Sequence, residues 1–388
     1  MAPLQLPIPG IPEIVQYIIL VALLAAALAI AISLLFRWIR TFGTYAYANA
    51  RVGARKGDLF KRERLTRLLD SRDIAEVTSI LQDSHYSPYL AGREEMSLSG
   101  FEMAFQTHRA ETYTEVADMV PDDMRGVFDE MLKIVDVRNI KTLLICKQVG
   151  LPTEKTMEII TPGGSITSET LEHFFDAASV PELVGRLEGT EYWPPVHEAL
   201  SEFEEGRNLL TLQHALDRHY YGELWKKIHA TRAKYIEVVK SLVGMRIDAQ
   251  NIKIVLRCKA DELPPEEIIR YVLPFYHELS EERIRRMAEA KDVTESIMML
   301  EGTDYGRALS DILSEYVDTK SLSGFEKALD NLLLKKARSI AIEYYIGVGP
   351  TIAFLLEKDI EIQNLTAIVN GKAGGLKPEE IEKHVIKG

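Results

Sequence analysis

Apolar residues along this chain recur mostly at helical spacing. In NIKTLLICK, Ile140, Leu143 and Leu144 stand at i, i+3 and i+4. The stripe returns in NIKIVLRCK (Ile252, Val255, Leu256) and in NLTAIVNGK (Leu365, Ile368, Val369). This spacing gathers apolar side chains on one face of an amphipathic helix. Lys147, Lys259 and Lys372 fall in the last turn of these helices, where a cation suits the negative end of the helix dipole. Pro152, Pro265 and Pro378 come next, placed to open the following helix, with Glu154, Glu267 and Glu380 in its first turn. Alternation of strand length is hard to find, and the run 252–256 reads as a helix face. The pattern predicts an all-α fold.

One segment has no polar face at all. From Ile14 to Phe36 no residue is charged, and only Gln16, Tyr17 and Ser33 are partly polar. A helix of this length reaches roughly 35 Å, enough to cross a hydrocarbon core with some tilt. No basic residue precedes it and the apolar run exceeds a secretory core, which argues against a cleaved signal peptide. Arg37 and Arg40 follow directly, so the positive-inside rule places the N-terminus outside and the rest in the cytoplasm. The competing reading is a core helix that never meets lipid.

The polar and apolar pattern also repeats at long range. Asp70–Tyr86 reappears as Asp176–Tyr192 and again as Glu289–Tyr305, with Glu76/Glu182/Glu295, Leu81/Leu187/Leu300, Ser84/Thr190/Thr303 and Tyr86/Tyr192/Tyr305 in register. Asn139, Asn251 and Asn364 keep the same beat, as do Ala104, Ala215 and Ala328. A period near 112 residues, as from Asn139 to Asn251, is far longer than a solenoid unit. It suits three domain-sized copies around a pseudo-threefold axis. Each copy runs long helix, Pro-led helix, Glu/Leu/Tyr helix, then the Ala-marked helix. Asn49 in YANARVGARK reads as a first copy of the long helix, so the apolar segment feeds straight into it. Four long helices then face three copies of everything else, and the helix around Asn364 is expected to pack beside the first unit and close a ring. The resulting division is an N-terminal tail and transmembrane helix (1–36), then helical repeats at 37–126, 127–238 and 239–388, the last including closing C-terminal helices.

Composition narrows the partners. The net charge is −12, yet Arg37–Arg67 holds nine basic against two acidic residues, so the body beyond is acidic. An acidic body disfavours nucleic acid, and a basic stretch beside an apolar one points to a membrane surface. The two cysteines, Cys146 and Cys258, occupy equivalent repeat positions where the third copy has Gly371, which reads as one small buried residue used twice.

Candidate chemistry is sparse. Gly163-Gly164 and Gly371–Gly375 lack the strand and the Lys-Ser/Thr of a phosphate loop. His214 and His219 are five apart, off a shared helix face. Adjacent acids such as Glu204-Glu205 diverge on a helix and read as solvated surface. The repeated Tyr86, Tyr192 and Tyr305 read as core residues with hydroxyls tied to backbone. Asn139, Asn251 and Asn364 read as inter-helix hydrogen bonds or as the polar lining of a central cavity. Threefold repetition argues against catalysis, which needs one asymmetric constellation. No cofactor, metal, nucleic acid or small-molecule substrate is expected.

The combination YAYANARVGARKGDL, then LEGTEY and LEGTDY, and the ending EIQNLTAIVNGKAGGLKPEEI resembles the C subunit of the archaeal A-type ATP synthase, the counterpart of the d subunit in vacuolar-type ATPases. The resemblance covers roughly residues 41–388. It implies three similar helical domains forming a funnel on the cytoplasmic end of the proteolipid rotor ring. It further implies that the funnel receives the central stalk and carries torque without a nucleotide site or a metal. Ile14–Phe36 stands out against typical members, which begin near the YAYANAR stretch; if it spans, it could enter the lumen of the ring. A membrane-anchored helical scaffold with no link to a rotary enzyme is the alternative.

Overall fold

Seven helices of 16 residues or more organise the chain in the computed structural model, which describes residues 12–90, 96–161 and 163–387. They are α1 (Glu13–Asp58), α2 (Leu98–Met119), α3 (Ile134–Val149), α4 (Leu209–Ala230), α5 (Ile236–Ala260), α6 (Ser323–Glu343) and α7 (Gly349–Ala373). Short helices fill the connections, and the described residues contain no strand. The fold is all-α, as the 3.6-residue stripes predict. Helix α1 runs unbroken through the apolar segment and into YANARVGARK, so the two are one rod.

Local chemistry explains the repeated landmarks. Pro265 and Pro378 are the first residues of their helices, where a missing N–H costs nothing. Pro152 sits one position earlier, as the N-cap of Thr153–Met157. Glu76, Glu182 and Glu295 belong to N-terminal caps. The side chains of Asp73, Ser179 and Asp292 accept the backbone N–H of these glutamates at 2.9, 3.3 and 2.9 Å. Each glutamate in turn accepts the backbone N–H four residues upstream, at Arg72, Ala178 and Lys291. Two otherwise orphaned donors are satisfied in each copy. Ser84, Thr190 and Thr303 bond back to the carbonyls of Leu81, Leu187 and Leu300 at 2.6, 2.7 and 2.7 Å, tightening the end of the same helix.

Packing divides the apolar interior in a way that chain order does not. One continuous core runs from Tyr45 through the second and third copies to Leu356. A second core joins Phe60, Leu65, Leu68, Val77, Leu81, Tyr86 and Phe105 of the first copy to Ile362, Leu365, Ile368, Val369, Ile381 and Val385. Helix α7 therefore lies against α2, as α3 lies against α4 and α5 against α6. Helix α1 packs on this same pair and beyond it: Arg55 pairs with Glu115 on α2 and Lys56 with Glu357 on α7. Tyr45 meets Tyr235 edge-on with centroids 5.5 Å apart, and Asn49 donates to the carbonyls of Tyr345 and Gly347. The helix around Asn364 thus packs beside the first copy, and α1 is an additional rod against α7, α2 and the turn that precedes α7. The two cysteine positions differ, with Cys146 buried and Cys258 half-buried. A side chain at Gly371 would meet Ile381 at 2.5 Å, which accounts for glycine in the third copy.

Candidate functional site

Helices α3, α5 and α7 each carry an acid three residues before the repeated asparagine: Asp136, Asp248 and Glu361. Sequence reading passed over these residues, although they recur 112 and 113 apart. In the structure they are the hydrogen-bonding centre of each unit. Asp136 accepts from the backbone N–H of Ser165 and Ile166, from the Ser165 hydroxyl, and from the Tyr192 hydroxyl at 3.1 Å. Asp248 accepts from the backbone N–H of His277, Glu278 and Leu279, and from Tyr305 at 3.4 Å. Glu361 accepts from the Phe60 N–H at 2.7 Å and from Tyr86 at 2.9 Å. The tyrosine hydroxyls therefore bond buried carboxylates rather than backbone. A charged acceptor makes the stronger bond, and the tyrosines supply donors that the acids need once out of water. Gly164 permits the approach to Asp136: its φ is +93°, and a Cβ there would lie 2.1 Å from Oδ1.

The asparagines close the same loops. The Asn139 amide donates to the Thr161 carbonyl at 2.9 Å and accepts the Thr161 N–H at 3.0 Å. Asn251 treats Leu273 identically, and Asn364 does so with Ile386. A side-chain amide carries the same donor–acceptor pair as a peptide, so each mimics one rung of a sheet. Their partners are loop peptides rather than side chains of other helices, and Asn364 also lines a cavity of about 490 Å³ together with Glu361 and Ile386. Asn49 makes no such pair; its carbonyl accepts from Thr351.

Charge is concentrated where the first copy meets α7. Lys358 and Glu361 are 1% and 2% exposed and paired at 2.5 Å. Lys358 also donates to Tyr86 at 2.9 Å and lies 3.2 Å from the His85 ring. Burial raises the Glu361 carboxyl, but Lys358 and His85 outweigh it and hold the group at about 2. Burial and the nearby Lys358 charge push His108 down to about 3. Burial and Glu361 drive the Tyr86 phenol well above its ordinary value, so it stays a donor. Nearby, Arg109 and Arg246 bind Asp359 at 2.8 and 2.7 Å, and Asp359 accepts from Tyr113 at 2.9 Å. Burial raises the Asp359 carboxyl, but the two guanidiniums lower it further.

Outside the body, Ile14–Phe36 has a mean hydropathy of 3.1 and none of it is buried in the chain. It is long and apolar enough to cross a membrane, and no core of this chain covers it. Among the described residues no group of three or more His, Cys, Asp or Glu is placed to hold a metal ion.

Comparison with known proteins follows the same body. The model of the ATP synthase (C/AC39) subunit family matches residues 48–384. The C subunit of the A-type ATP synthase of Methanocaldococcus jannaschii is 35% identical over 344 residues, 88% of this chain and 86% of that protein. That of Methanothermobacter thermautotrophicus is 35% identical over 379 residues, 97% of each chain. That of Pyrococcus abyssi is 28% identical over 344 residues, 88% of this chain and 90% of that one. A match over 97% of both chains leaves no room for an N-terminal extension private to this one, so Ile14–Phe36 does not set it apart from all its relatives. With a family model matched through nearly the entire helical body, this chain belongs to the ATP synthase (C/AC39) subunit family.

Proposed function

We propose that the chain is a non-catalytic rotor part of an A-type ATP synthase, a socket that couples the central stalk to the proteolipid ring so that ion flow drives ATP synthesis. The observation that supports this most is the family match to residues 48–384, a body whose repeated polar groups are engaged in tying the long helices to the segments that fold over them. Torque passes only through interfaces that do not shear. We divide the body into three units for this reason: residues 60–119 with 349–387, then 122–230, then 236–343. Each unit holds a tyrosine on a buried acid, and the units surround a pseudo-threefold axis as a funnel. Ile14–Phe36 spans the membrane with the N-terminus outside, and Arg37 and Arg40 keep the body on the cytoplasmic face.

An affinity-tagged chain extracted from membranes in mild detergent is expected to carry proteolipid and central-stalk subunits with it. Recovery in the detached catalytic head, or with neither partner, would overturn the reading. Leu187, fully buried, gives a second check. Leu187→Asp buries an unpaired charge and is expected to uncouple synthesis while the catalytic head still hydrolyses ATP. Synthesis that stayed coupled in this variant would show that stiffness of the body is not required.

A further inference from the structure

The cavity beside Asn364 lies where the third copy is covered by a loop. Gly244 is the register counterpart of Glu357. It sits under His277, whose ring a side chain at 244 would meet at 2.5 Å, and the same loop gives Asp248 the backbone N–H groups of His277, Glu278 and Leu279. In the first unit the cover comes from residues 59–62 instead, which give Glu361 the Phe60 N–H. A space of about 490 Å³ remains between that segment, α6 and α7. Pockets for small molecules run to roughly 300–1,000 Å³, so the volume is ample for one.

Its walls are of two kinds. Leu59, Leu334, Ile342 and Ile360 make an apolar floor, and Lys56, Lys61, Arg62, Arg338 and Lys387 set cations around it. Few of these charges are matched one to one. Lys56 and Arg338 approach the same oxygen of Glu357, at 2.8 and 3.6 Å, while Lys387 pairs with Glu382. Glu361 is already taken by Lys358. Lys61 and Arg62 are exposed and, among the described residues, stand in no ion pair. In a chain of net charge −12, such a concave basic wall concentrates anions locally. Glu357 adds the opposite demand. Its side chain is 7% exposed, and its buried Oε2 has no hydrogen-bond partner. A carboxylate oxygen held out of water is completed by a donor.

We infer that this cavity binds a small organic phosphate. The phosphoryl group lies at Lys61 and Arg62, the body rests on the apolar floor, and a hydroxyl donates to Glu357. A guanidinium fork matches phosphate oxygens in pairs, and a lysine beside it adds a point charge. A bare inorganic anion leaves the floor and Glu357 unused. A lipid headgroup shares the phosphate chemistry, but its level is wrong. Lys56 stands twenty residues past Phe36 on one unbroken helix, about 30 Å along the rod. The headgroup layer of one leaflet is only roughly 5–8 Å deep. That exclusion of lipid rests on the membrane-spanning reading above, whereas the cavity and its charges do not. Bound there, the ligand touches α1, α6 and α7 together and braces the rod against the body.

The test uses the full chain in detergent, with adenosine 5′-monophosphate as a probe that carries a phosphate, hydroxyls and a flat body. Equilibrium dialysis is expected to show a single saturable site, and saturation to raise the melting temperature by about 2–4 °C. Lys61→Gln with Arg62→Gln removes two charge-assisted contacts and should weaken binding about tenfold or more. Arg67→Gln removes a charge from the next turn of the same exposed segment, outside the cavity, and should bind as wild type does. Equal weakening in Arg67→Gln would reduce the effect to diffuse attraction and overturn the proposal. So would absence of binding, or inorganic phosphate that binds as tightly as the nucleotide. Should the double variant melt early, Ile342→Trp at a residue 77% exposed crowds the cavity and should block the probe. Unchanged affinity there counts against the site. Phosphatidylglycerol that stabilises the chain through Arg62 where the nucleotide does not would overturn the soluble ligand, and the spanning of residues 14–36 with it.

Discussion

The first unit and the two that follow it use the same parts but assemble them differently. In the second and third, tyrosine and acid lie 56 and 57 residues apart, on one continuous stretch of chain. In the first, Tyr86 and Glu361 are separated by 275 residues, and Phe60 supplies the N–H that a following loop supplies elsewhere. Lys372 likewise reaches across to the Ser71 carbonyl, where Lys147 finds Phe175 only 28 residues ahead. The first unit is closed by both ends of the chain. Its centre is also the most charged, because Glu361 is paired with a buried lysine that Asp136 and Asp248 lack. Closure over so long a loop costs more chain entropy than local closure, though only logarithmically more. A buried ion pair also holds its geometry only while both partners are present.

The sharpest way to break the comparison is to remove one partner of that pair. Glu361→Leu leaves Lys358 buried and uncompensated, and about 3–5 kcal/mol of stability should be lost in urea unfolding. Asp136→Ala orphans amides and a hydroxyl but no opposite charge, so its loss should be smaller, about 1–3 kcal/mol. Equal losses would mean the ion pair adds nothing beyond the shared hydrogen bonds. Lys358→Met in the Glu361→Leu background should recover much of the deficit. Hydrogen exchange should place the damage of Glu361→Leu in residues 62–105 first.

Acid should also act unevenly. His108 is held near 3 in the folded chain against an ordinary 6.5, so between those values the unfolded chain binds the extra proton. Stability therefore falls as pH drops from about 6.5 towards 3, by up to about 1.4 kcal/mol per pH unit for this one group. Glu361 adds a second loss as pH falls from its ordinary 4.5 towards about 2. Melting curves of His108→Gln should be flatter between pH 6 and pH 5 than those of the wild type (roughly the top of the His108 window). Identical slopes would remove His108 from the account.

The smallest effects should come from single hydroxyls. Tyr192→Phe and Tyr305→Phe each lose one hydrogen bond to a carboxylate that keeps its backbone donors, for about 1.5 kcal/mol, the low end for a bond to a charged group. Tyr86→Phe should cost more, because its hydroxyl bonds both Glu361 and Lys358. The same order in measured unfolding midpoints would support the charged first unit, and three equal losses would argue that the units are equivalent.

Much of this was legible along the chain. The apolar stripe at Ile140, Leu143 and Leu144 predicts a helix because local periodicity decides which face can be buried. Landmarks such as Pro265 and Glu295 stand out because caps and first-turn residues are chosen by backbone geometry a few residues away. Asp136, Asp248 and Glu361 were available to the same register but look like ordinary helix-surface acids until their neighbours are known. The tyrosines were placed correctly in the core, yet their partners were not. A hydroxyl's partner depends on which loop folds over it. Arg109 and Arg246 carry no pattern at all, since one copy of a residue in a threefold repeat is indistinguishable from drift.

The sequence by itself determined the helical elements, the unbroken apolar rod, the repeat and its phase, because these depend on spacing within a few turns or on register between copies. The tertiary structure alone decided where α1 packs, against α7, α2 and the turn that precedes α7. It also decided that Tyr86 finds Glu361, and that Arg109 and Arg246 meet on Asp359. Those outcomes come from contacts between residues hundreds of positions apart. They are fixed only when competing helices are packed and the better-satisfied arrangement excludes the other.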